Sequence, residues 1–124
     1  MDDFHASQPI FVQIRQRLIE MILREQAREG DPLPSVRQIA GELSVNPLTV
    51  TKAFEALVDI GVVEKRRGLG MFVTTGARAT LLAHERDKFL KDDWPRIAAQ
   101  IRALELDPDT LLKSAADKLE GPQK

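Results

Sequence analysis

The sequence contains no cysteine, so the chain can form no disulfide, carry no thiolate nucleophile and build no cysteine-ligated zinc site. A reducing cytoplasm is the natural setting for such a composition. The sequence also lacks an apolar run near the roughly 20 residues that a membrane-spanning helix needs. Its acidic start, MDDFHASQPIF, has neither the basic beginning nor the apolar centre of a signal peptide. These absences predict a cytoplasmic protein.

Residues suited to catalysis or metal binding are also scarce. The two histidines, His5 and His84, have no partner at the spacing of metal ligands. No Ser/His/Asp set, paired-carboxylate pattern or phosphate-binding loop can be assembled from the remaining residues. The sequence therefore predicts no enzyme, no metal site and no cofactor.

The chain has no excess of positive charge, because 18 Lys and Arg residues stand against 19 Asp and Glu residues. A nucleic-acid binder is often basic as a whole, so any cationic surface here must be local. The densest cationic run is Lys65-Arg66-Arg67. With 124 residues, of which 43% are hydrophobic, the chain has room for one modest domain, or for a domain of about 75 residues with a small appendage.

Two helices are predicted in the first part of the chain. Apolar residues recur at helical spacing from Pro9 to about Arg28, and Gly30 ends this helix. The segment GDPLPS contains two prolines and a glycine, which predicts a turn. Ser35 and Gln38 have the spacing of a capping box, which starts a second, short helix that ends near Leu43.

A third helix and a hairpin follow. Asn46 is a favoured N-cap, and Pro47 is favoured at the first helical position because its missing N–H would be unpaired there. The apolar face of this helix is predicted to consist of Val50, Phe54, Leu57 and Val58.

Two short β-rich runs, Val62–Lys65 and Met71–Thr74, are joined by a loop that contains Gly68 and Gly70. This pattern predicts a hairpin with a basic tip. Helix, short helix, tight turn, helix and hairpin is the order of a winged helix-turn-helix. The expected fold is therefore mainly α with a small β-hairpin wing, and residues 1–75 are predicted to form a DNA-binding domain.

Residues 76–124 are predicted to form a short α-helical dimerisation region. Its apolar residues alternate spacings of four and three, as in a helix-packing seam, although Pro95 predicts a kink or break near Asp93. Asp107-Pro108 repeats the cap-and-proline pattern and starts a last short helix. About 45 helical residues are too few to bury a good core alone, so their apolar faces need the first domain, another subunit, or both. The predicted dimerisation residues are Leu82, Phe89, Leu90, Trp94, Ile97, Ile101 and Leu104.

The predicted recognition helix, hairpin tip and second helix supply candidate DNA contacts. The N-terminal residues of a recognition helix reach base edges and phosphates, and the free amides of its first turn add a phosphate site. Cations and glycines at a hairpin tip can approach phosphates or enter a minor groove. Each feature alone could be an ordinary solvated surface, and their order favours DNA binding. The candidate residues are Arg37, Asn46, Pro47, Leu48, Thr49, Thr51, Lys52, Lys65, Arg66, Arg67 and Gly68.

The strings QPIFVQIRQRLIEMI and GDPLPSVRQIAGELSVNPLTVTKAFEALVDIGVVEKRRGLGMFV, with the short helical tail, resemble the GntR family of bacterial transcription regulators. The short tail and the string Asn46-Pro47-x-Thr49-Val50 are similar to its YtrA-like subfamily. The resemblance implies a homodimer that represses transcription from a palindromic operator, often in a membrane transporter operon. It also implies DNA contacts at Arg37, at the start of the recognition helix and at Arg67-Gly68.

Two positions depart from the family pattern. Pro47 stands where many relatives have an arginine, so a bidentate guanine contact is lost there. Leu48 stands where relatives often have asparagine, and it can touch only an apolar group such as a thymine methyl. The operator sequence therefore cannot be transferred from the family. A small-molecule effector, if one exists, would have to bind in a cleft between helices or subunits.

A second hypothesis remains open at the level of the sequence. The acidic net charge and the apolar Leu48 are also compatible with a winged-helix module that binds another protein and not DNA. Binding to DNA at low salt separates the two hypotheses, because electrostatic attraction to DNA is strongest there.

Overall fold

The computed structural model describes residues 8–119. These residues form six α-helices, one π-helical segment and one antiparallel two-stranded hairpin. None of the helices within this range is long and apolar enough to cross a membrane. In chain order the elements are α1 (Ile10–Leu23), α2 (Val36–Leu43), α3 (Pro47–Asp59), β1 (Val63–Arg66), β2 (Gly70–Val73), α4 (Ala77–Lys88), the π segment (Phe89–Asp93), α5 (Trp94–Ala103) and α6 (Pro108–Leu119).

Helix α1 ends at Leu23, so the prediction that it extends to about Arg28 was wrong. Glu25 adopts a left-handed backbone with φ of 62°. The amides of Glu25 and Gln26 donate to carbonyls of the last helical turn, at 3.1 and 2.8 Å. This pair of bonds is the Schellman ending, which satisfies carbonyls that the helix leaves unpaired. Glycine usually signals this ending, and here a glutamate occupies the left-handed position.

The starts of α2 and α3 are capped as predicted. The Ser35 Oγ accepts a hydrogen bond from the Gln38 amide at 2.9 Å. The Asn46 Oδ1 accepts one from the Leu48 amide at 2.8 Å, and Pro47 is the first residue of α3. Each such cap stabilises its helix by about 1 kcal/mol.

The core lies where α3 packs against α1 and α2. Phe54 of α3 is fully buried, and Val50, Ala53 and Leu57 lie on the same face. Val58 was predicted on this face, but it is 39% exposed. The buried hydrophobic residues are Ile14, Leu18, Ile19, Ile22, Ala27, Leu33, Ile39, Ala40, Val50, Ala53, Phe54, Leu57, Val62, Val63, Val73, Ala77 and Leu81.

The predicted hairpin is present. Strand β1 begins and ends one residue later than predicted, and strand β2 begins and ends one residue earlier. Strands β1 and β2 pair with Glu64 opposite Phe72 and Arg66 opposite Gly70. Gly68 has φ of 77° at the tip, a left-handed conformation that glycine adopts without steric cost. We call residues 63–73 the wing.

Strand β2 is also bonded to the turn that precedes α2. The Gly30 amide donates to the Val73 carbonyl, and the Leu33 amide donates to the Met71 carbonyl, each at 2.8 Å. A two-stranded hairpin alone is marginally stable in water, so these bonds help to hold the wing on the body.

The chain divides into two compact units, of which the first ends at His84 and the second begins at Glu85. The predicted boundary, after residue 75, lies earlier. The difference arises because Ala77 and Leu81, in the first half of α4, are 1% and 0% exposed and belong to the core of the first unit.

The second unit contains the π segment, α5 and α6, and none of its described residues is buried. The interruption predicted near Asp93 takes the form of the π segment, in which the Trp94 amide donates to the Phe89 carbonyl. This bond reaches one residue further back than an α-helical bond. Pro95 follows immediately and has no amide hydrogen, so it cannot contribute a regular helical bond at this point.

Helix α6 begins at Pro108, as the cap-and-proline pattern predicted. The Asp107 Oδ2 accepts hydrogen bonds from the Thr110 hydroxyl at 2.7 Å and from the Thr110 amide at 3.3 Å. The hydroxyl bond is the main reason that the pKa of Asp107 lies below its ordinary value. Asp107 therefore caps α6 as a carboxylate.

Candidate nucleic-acid interface

The N-terminal end of α3 presents a mixed polar and apolar surface. Asn46, Pro47 and Leu48 are exposed, and Leu48 is 75% exposed. Thr49 and Thr51 are half-buried. The side chains predicted to contact bases thus include two threonines that are partly covered by the body of the protein.

The first turn of α3 does not offer the free amides that we expected. Pro47 has no amide hydrogen, and the Leu48 amide donates to the Asn46 side chain. The amides of Thr49 and Val50 donate to the Asn46 carbonyl, at 2.9 and 3.4 Å. A phosphate at this helix end would therefore have to displace bonds that the cap already makes, and side chains are the better candidates for contact.

Lys52 is positioned by an aromatic ring from another helix. Its Nζ lies 4.1 Å from the centre of the Phe11 ring of α1. A cation over a ring face is attracted by about 0.5–1 kcal/mol at an exposed site. This contact restrains the Lys52 ammonium on the surface formed by α3 and α1.

Arg37 lies exposed in the first turn of α2. Helix α2 packs against α3, and both belong to the first compact unit. Arg37 therefore remains available for the phosphate contact that the sequence predicts.

The wing presents its basic residues to solvent, since every residue from Glu64 to Gly70 is exposed. The Arg66 Nε donates to the Glu64 Oε2 at 2.8 Å, and the Arg66 guanidinium carbon lies 4.1 Å from the centre of the Phe72 ring. Lys65 and Arg67 make no such side-chain contact within the described residues. Of the three predicted wing cations, Lys65 and Arg67 are therefore available to a ligand, and Arg66 is paired with Glu64.

Comparisons with known proteins identify the family and the fold of the chain. Residues 11–73 match the family model described as "Bacterial regulatory proteins, gntR family". The chain belongs to the GntR family. Its relatives in this family are transcriptional regulators, so the chain is a regulator and not an enzyme.

Two relatives from Bacillus subtilis support this assignment. The transcriptional regulator YhcF is 30% identical over 120 residues, which are 97% of this chain and 98% of that protein. The transcriptional repressor YtrA is 40% identical over 80 residues, which are 64% of this chain and 62% of that protein. The predicted likeness to YtrA is thus confirmed.

Solved structures confirm the winged-helix fold. A GntR family transcriptional regulator from Listeria monocytogenes has a TM-score of 0.74 at 23% identity, over 92% of this chain and 98% of that one. AraR(DBD), solved in complex with operator ORR3, has a TM-score of 0.52 at 21% identity, over 60% of this chain and 93% of that one. At these identities the two likenesses concern the fold alone.

The predicted dimerisation residues of this GntR member fall into two groups. Four of them, Trp94, Ile97, Ile101 and Leu104, line an apolar groove of about 680 Å³ between α5 and α6. Leu82 is half-buried in the first unit, whereas Phe89 and Leu90 are exposed in the π segment and do not line the groove. The remaining groove residues, which are not among the predicted dimerisation residues, are Gln100, Leu106, Pro108, Leu111, Leu112 and Ala115.

Three residues of the candidate DNA surface were also missed. Phe11 was unpredicted because its contact with Lys52 depends on how α1 packs against α3, and Glu64 because its pairing with Arg66 depends on a strand that places both side chains on one face. Leu69, which is 70% exposed at the wing tip, lies between the two loop glycines and could have been noticed there. Residues 8–119 contain no group of three or more metal-binding side chains, and His5 lies outside this range.

Replacing Asn46 by alanine is expected to lower the free energy of unfolding by about 1 kcal/mol, because the Leu48 amide loses its acceptor. Thermal unfolding followed by circular dichroism measures this loss. Asn46→Ser keeps a capping oxygen and should retain most of the stability. Equal losses in both variants would show that the cap is not the cause.

Proposed function

We propose that this GntR-family regulator is a sequence-specific DNA-binding repressor that binds a palindromic operator as a homodimer. The observation that carries the proposal is that the first unit exposes both the N-terminal end of α3 and a basic wing. An α-helix fits the major groove of B-DNA, and cations beside it neutralise phosphates. Because its target would be the bacterial chromosome, we propose that the protein works in the cytoplasm.

The proposed roles of the interface residues follow from their chemistry. Phosphate contacts are assigned to Arg37, Lys52, Lys65 and Arg67, which fix the position of the protein on DNA without reading its sequence. Base reading is assigned to Asn46, Thr49 and Thr51 by hydrogen bonds and to Leu48 by contact with a thymine methyl. Pro47 and Gly68 contribute backbone shape, while Arg66 reaches DNA only after leaving Glu64.

The homodimer is proposed from the state of the second unit. A unit in which no described residue is buried lacks a core of its own. Leu104 and Leu112, at 60% and 69% exposed, extend its apolar groove onto the surface. A second copy of the same unit would cover this groove and its surroundings, including Phe89 and Leu90. Two linked half-site contacts can exceed the affinity of one by about 10²–10⁴.

We further propose that the regulated genes include a membrane transporter operon. This part rests on the resemblance to the YtrA-like subfamily alone. Footprinting on the DNA upstream of the chain's own gene and of its neighbours tests it.

The replacement Arg67→Ala is expected to weaken binding to operator and shuffled duplexes alike. The plot of log affinity against log salt concentration should become shallower by about 1.8, because each of the two wings of the dimer loses one phosphate contact, and each contact accounts for about 0.9 of the slope. Thr49→Ala is expected instead to change the ratio between the two duplexes, by about 1–3 kcal/mol if Thr49 reads a base. Gel-shift titrations at several salt concentrations measure both effects.

Asp59→Asn, at the far end of α3, changes charge by one unit outside the proposed interface and serves as the control. Operator binding that survives both interface changes unaltered would contradict the proposal. A protein that binds no duplex even at low salt would favour the alternative, a winged-helix module that binds another protein.

A further inference from the structure

The wing contains an ion pair between two adjacent side chains of the same strand face. The Glu64 carboxylate accepts a hydrogen bond at one edge of the Arg66 guanidinium, and the Phe72 ring lies against the guanidinium face. We propose that Glu64 is an internal counter-ion of Arg66, which competes with DNA phosphate and limits the affinity of the wing for any duplex. This inference rests on the proposed function, because it concerns how strongly the same surface attracts DNA.

The hairpin register explains why these three side chains meet. Residues two apart on a strand point to the same face, so Glu64 and Arg66 are neighbours. Phe72 is the cross-strand partner of Glu64 and therefore lies on that face as well. Strand β2 is bridged at Phe72 to Pro32, which fixes the Phe72 backbone relative to the body of the first unit. The backbone thus places all three side chains on one face of the wing.

The ion pair is accessible to a competitor. The side chains of Arg66 and Glu64 retain 43% and 47% of their exposure. Carboxylate and phosphate both bind guanidinium through charge-assisted hydrogen bonds, so a DNA phosphate can take the place of Glu64. An exposed ion pair contributes only about 0–1 kcal/mol to stability. Replacing its carboxylate by a DNA phosphate therefore costs little free energy. Displacement still leaves a carboxylate next to the DNA, where it repels the phosphates.

The rest of the chain makes this single pair important. The formal net charge is -1, so attraction to DNA depends on a small number of local cations. Within the described residues, Lys65 and Arg67 on either side of Arg66 have no carboxylate within ion-pair distance. Neutralising Glu64 would therefore raise the number of effective wing cations from two to three.

The test uses the full chain with Glu64→Gln, which removes the charge and keeps the size of the side chain. Affinity is measured by gel shift on the duplex upstream of the chain's own gene and on a shuffled duplex. An exposed ion pair accounts for about two- to fivefold, so a dimer with two wings is expected to bind both duplexes about 4- to 25-fold more tightly at low salt. The salt slope should become steeper by about 1.8, as expected for one additional phosphate contact on each of the two wings of the dimer.

Two matched variants separate this role from a general effect of charge. Glu20→Gln removes one exposed carboxylate from α1 and should leave both the affinity and the salt slope near those of the parent. In an Arg66→Ala background, Glu64→Gln should also leave the affinity unchanged, because there is no longer an arginine for which Glu64 and DNA phosphate compete.

Three results would overturn the inference. Glu64→Gln could behave like Glu20→Gln, it could bind DNA more weakly than the parent, or its gain could persist without Arg66. Either of the first two results would exclude competition between Glu64 and DNA phosphate for Arg66. The third would show that the gain in affinity comes from reduced repulsion between the Glu64 carboxylate and DNA in general. A parent protein that binds neither duplex at low salt would instead overturn the proposed function, and the inference with it.

Discussion

Replacing Ile97 by glutamate is expected to leave the protein monomeric at micromolar concentration and to weaken operator binding by about 100-fold or more. Ile97 is half-buried and lines the apolar groove between α5 and α6. A carboxylate at this position would have to lose its hydration when a second copy covers the groove. Sedimentation measures the oligomeric state, and gel shift measures the loss of paired half-site binding.

The matched control is Ala99→Glu, which adds the same charge to the same helix. Ala99 does not line the groove and lies on the opposite side of α5 by helical periodicity. This variant should remain a dimer with nearly the parental affinity. If Ile97→Glu also sedimented as a dimer and bound the operator normally, the groove would not be the dimer interface.

Replacing Phe54 by alanine is expected to lower the free energy of unfolding by about 3–5 kcal/mol. Phe54 is 0% exposed and is the largest of the fully buried side chains. Its removal leaves a cavity beneath the helix that presents the proposed base-reading residues. Urea unfolding measures the loss, and operator binding should fall in parallel as the folded fraction falls.

Leu48→Ala provides the comparison for Phe54, because it removes a large apolar side chain from the same helix at a position that is 75% exposed. Its effect on stability should remain within about 0.5 kcal/mol. If the Phe54 variant lost less than about 1 kcal/mol, the packing of α3 on α1 and α2 would be looser than the structure indicates.

The elements that the sequence predicted well have local chemical causes. Helices α2, α3 and α6 each follow a capping side chain that accepts a hydrogen bond from an amide two or three residues later. In α3 and α6, a proline comes directly after the capping residue. The hairpin depends on β-rich runs and glycines within about ten residues. Such signals are complete within a short window, and the order of the elements then sufficed to predict the winged-helix fold.

The features that were missed lack the usual local signal or depend on distant parts of the chain. The end of α1 is set by a left-handed glutamate, and the first unit extends to His84 because Leu81 reaches its core. Likewise, three positively charged side chains in sequence look equivalent until strand β1 places Arg66 on the same face as Glu64, with which it pairs. The candidate DNA surface could therefore be located from the sequence, whereas the state of each charge on it could not.

The bonds between β2 and the turn before α2 have a thermodynamic consequence for association with DNA. The Gly30 and Leu33 amides hold the β2 backbone from a segment that is not part of the hairpin. A loop that becomes ordered only in a complex loses conformational entropy and so reduces the affinity, whereas an element fixed beforehand avoids most of that cost. In the proposed complex, the wing would therefore meet DNA in a shape that the body of the protein has already selected.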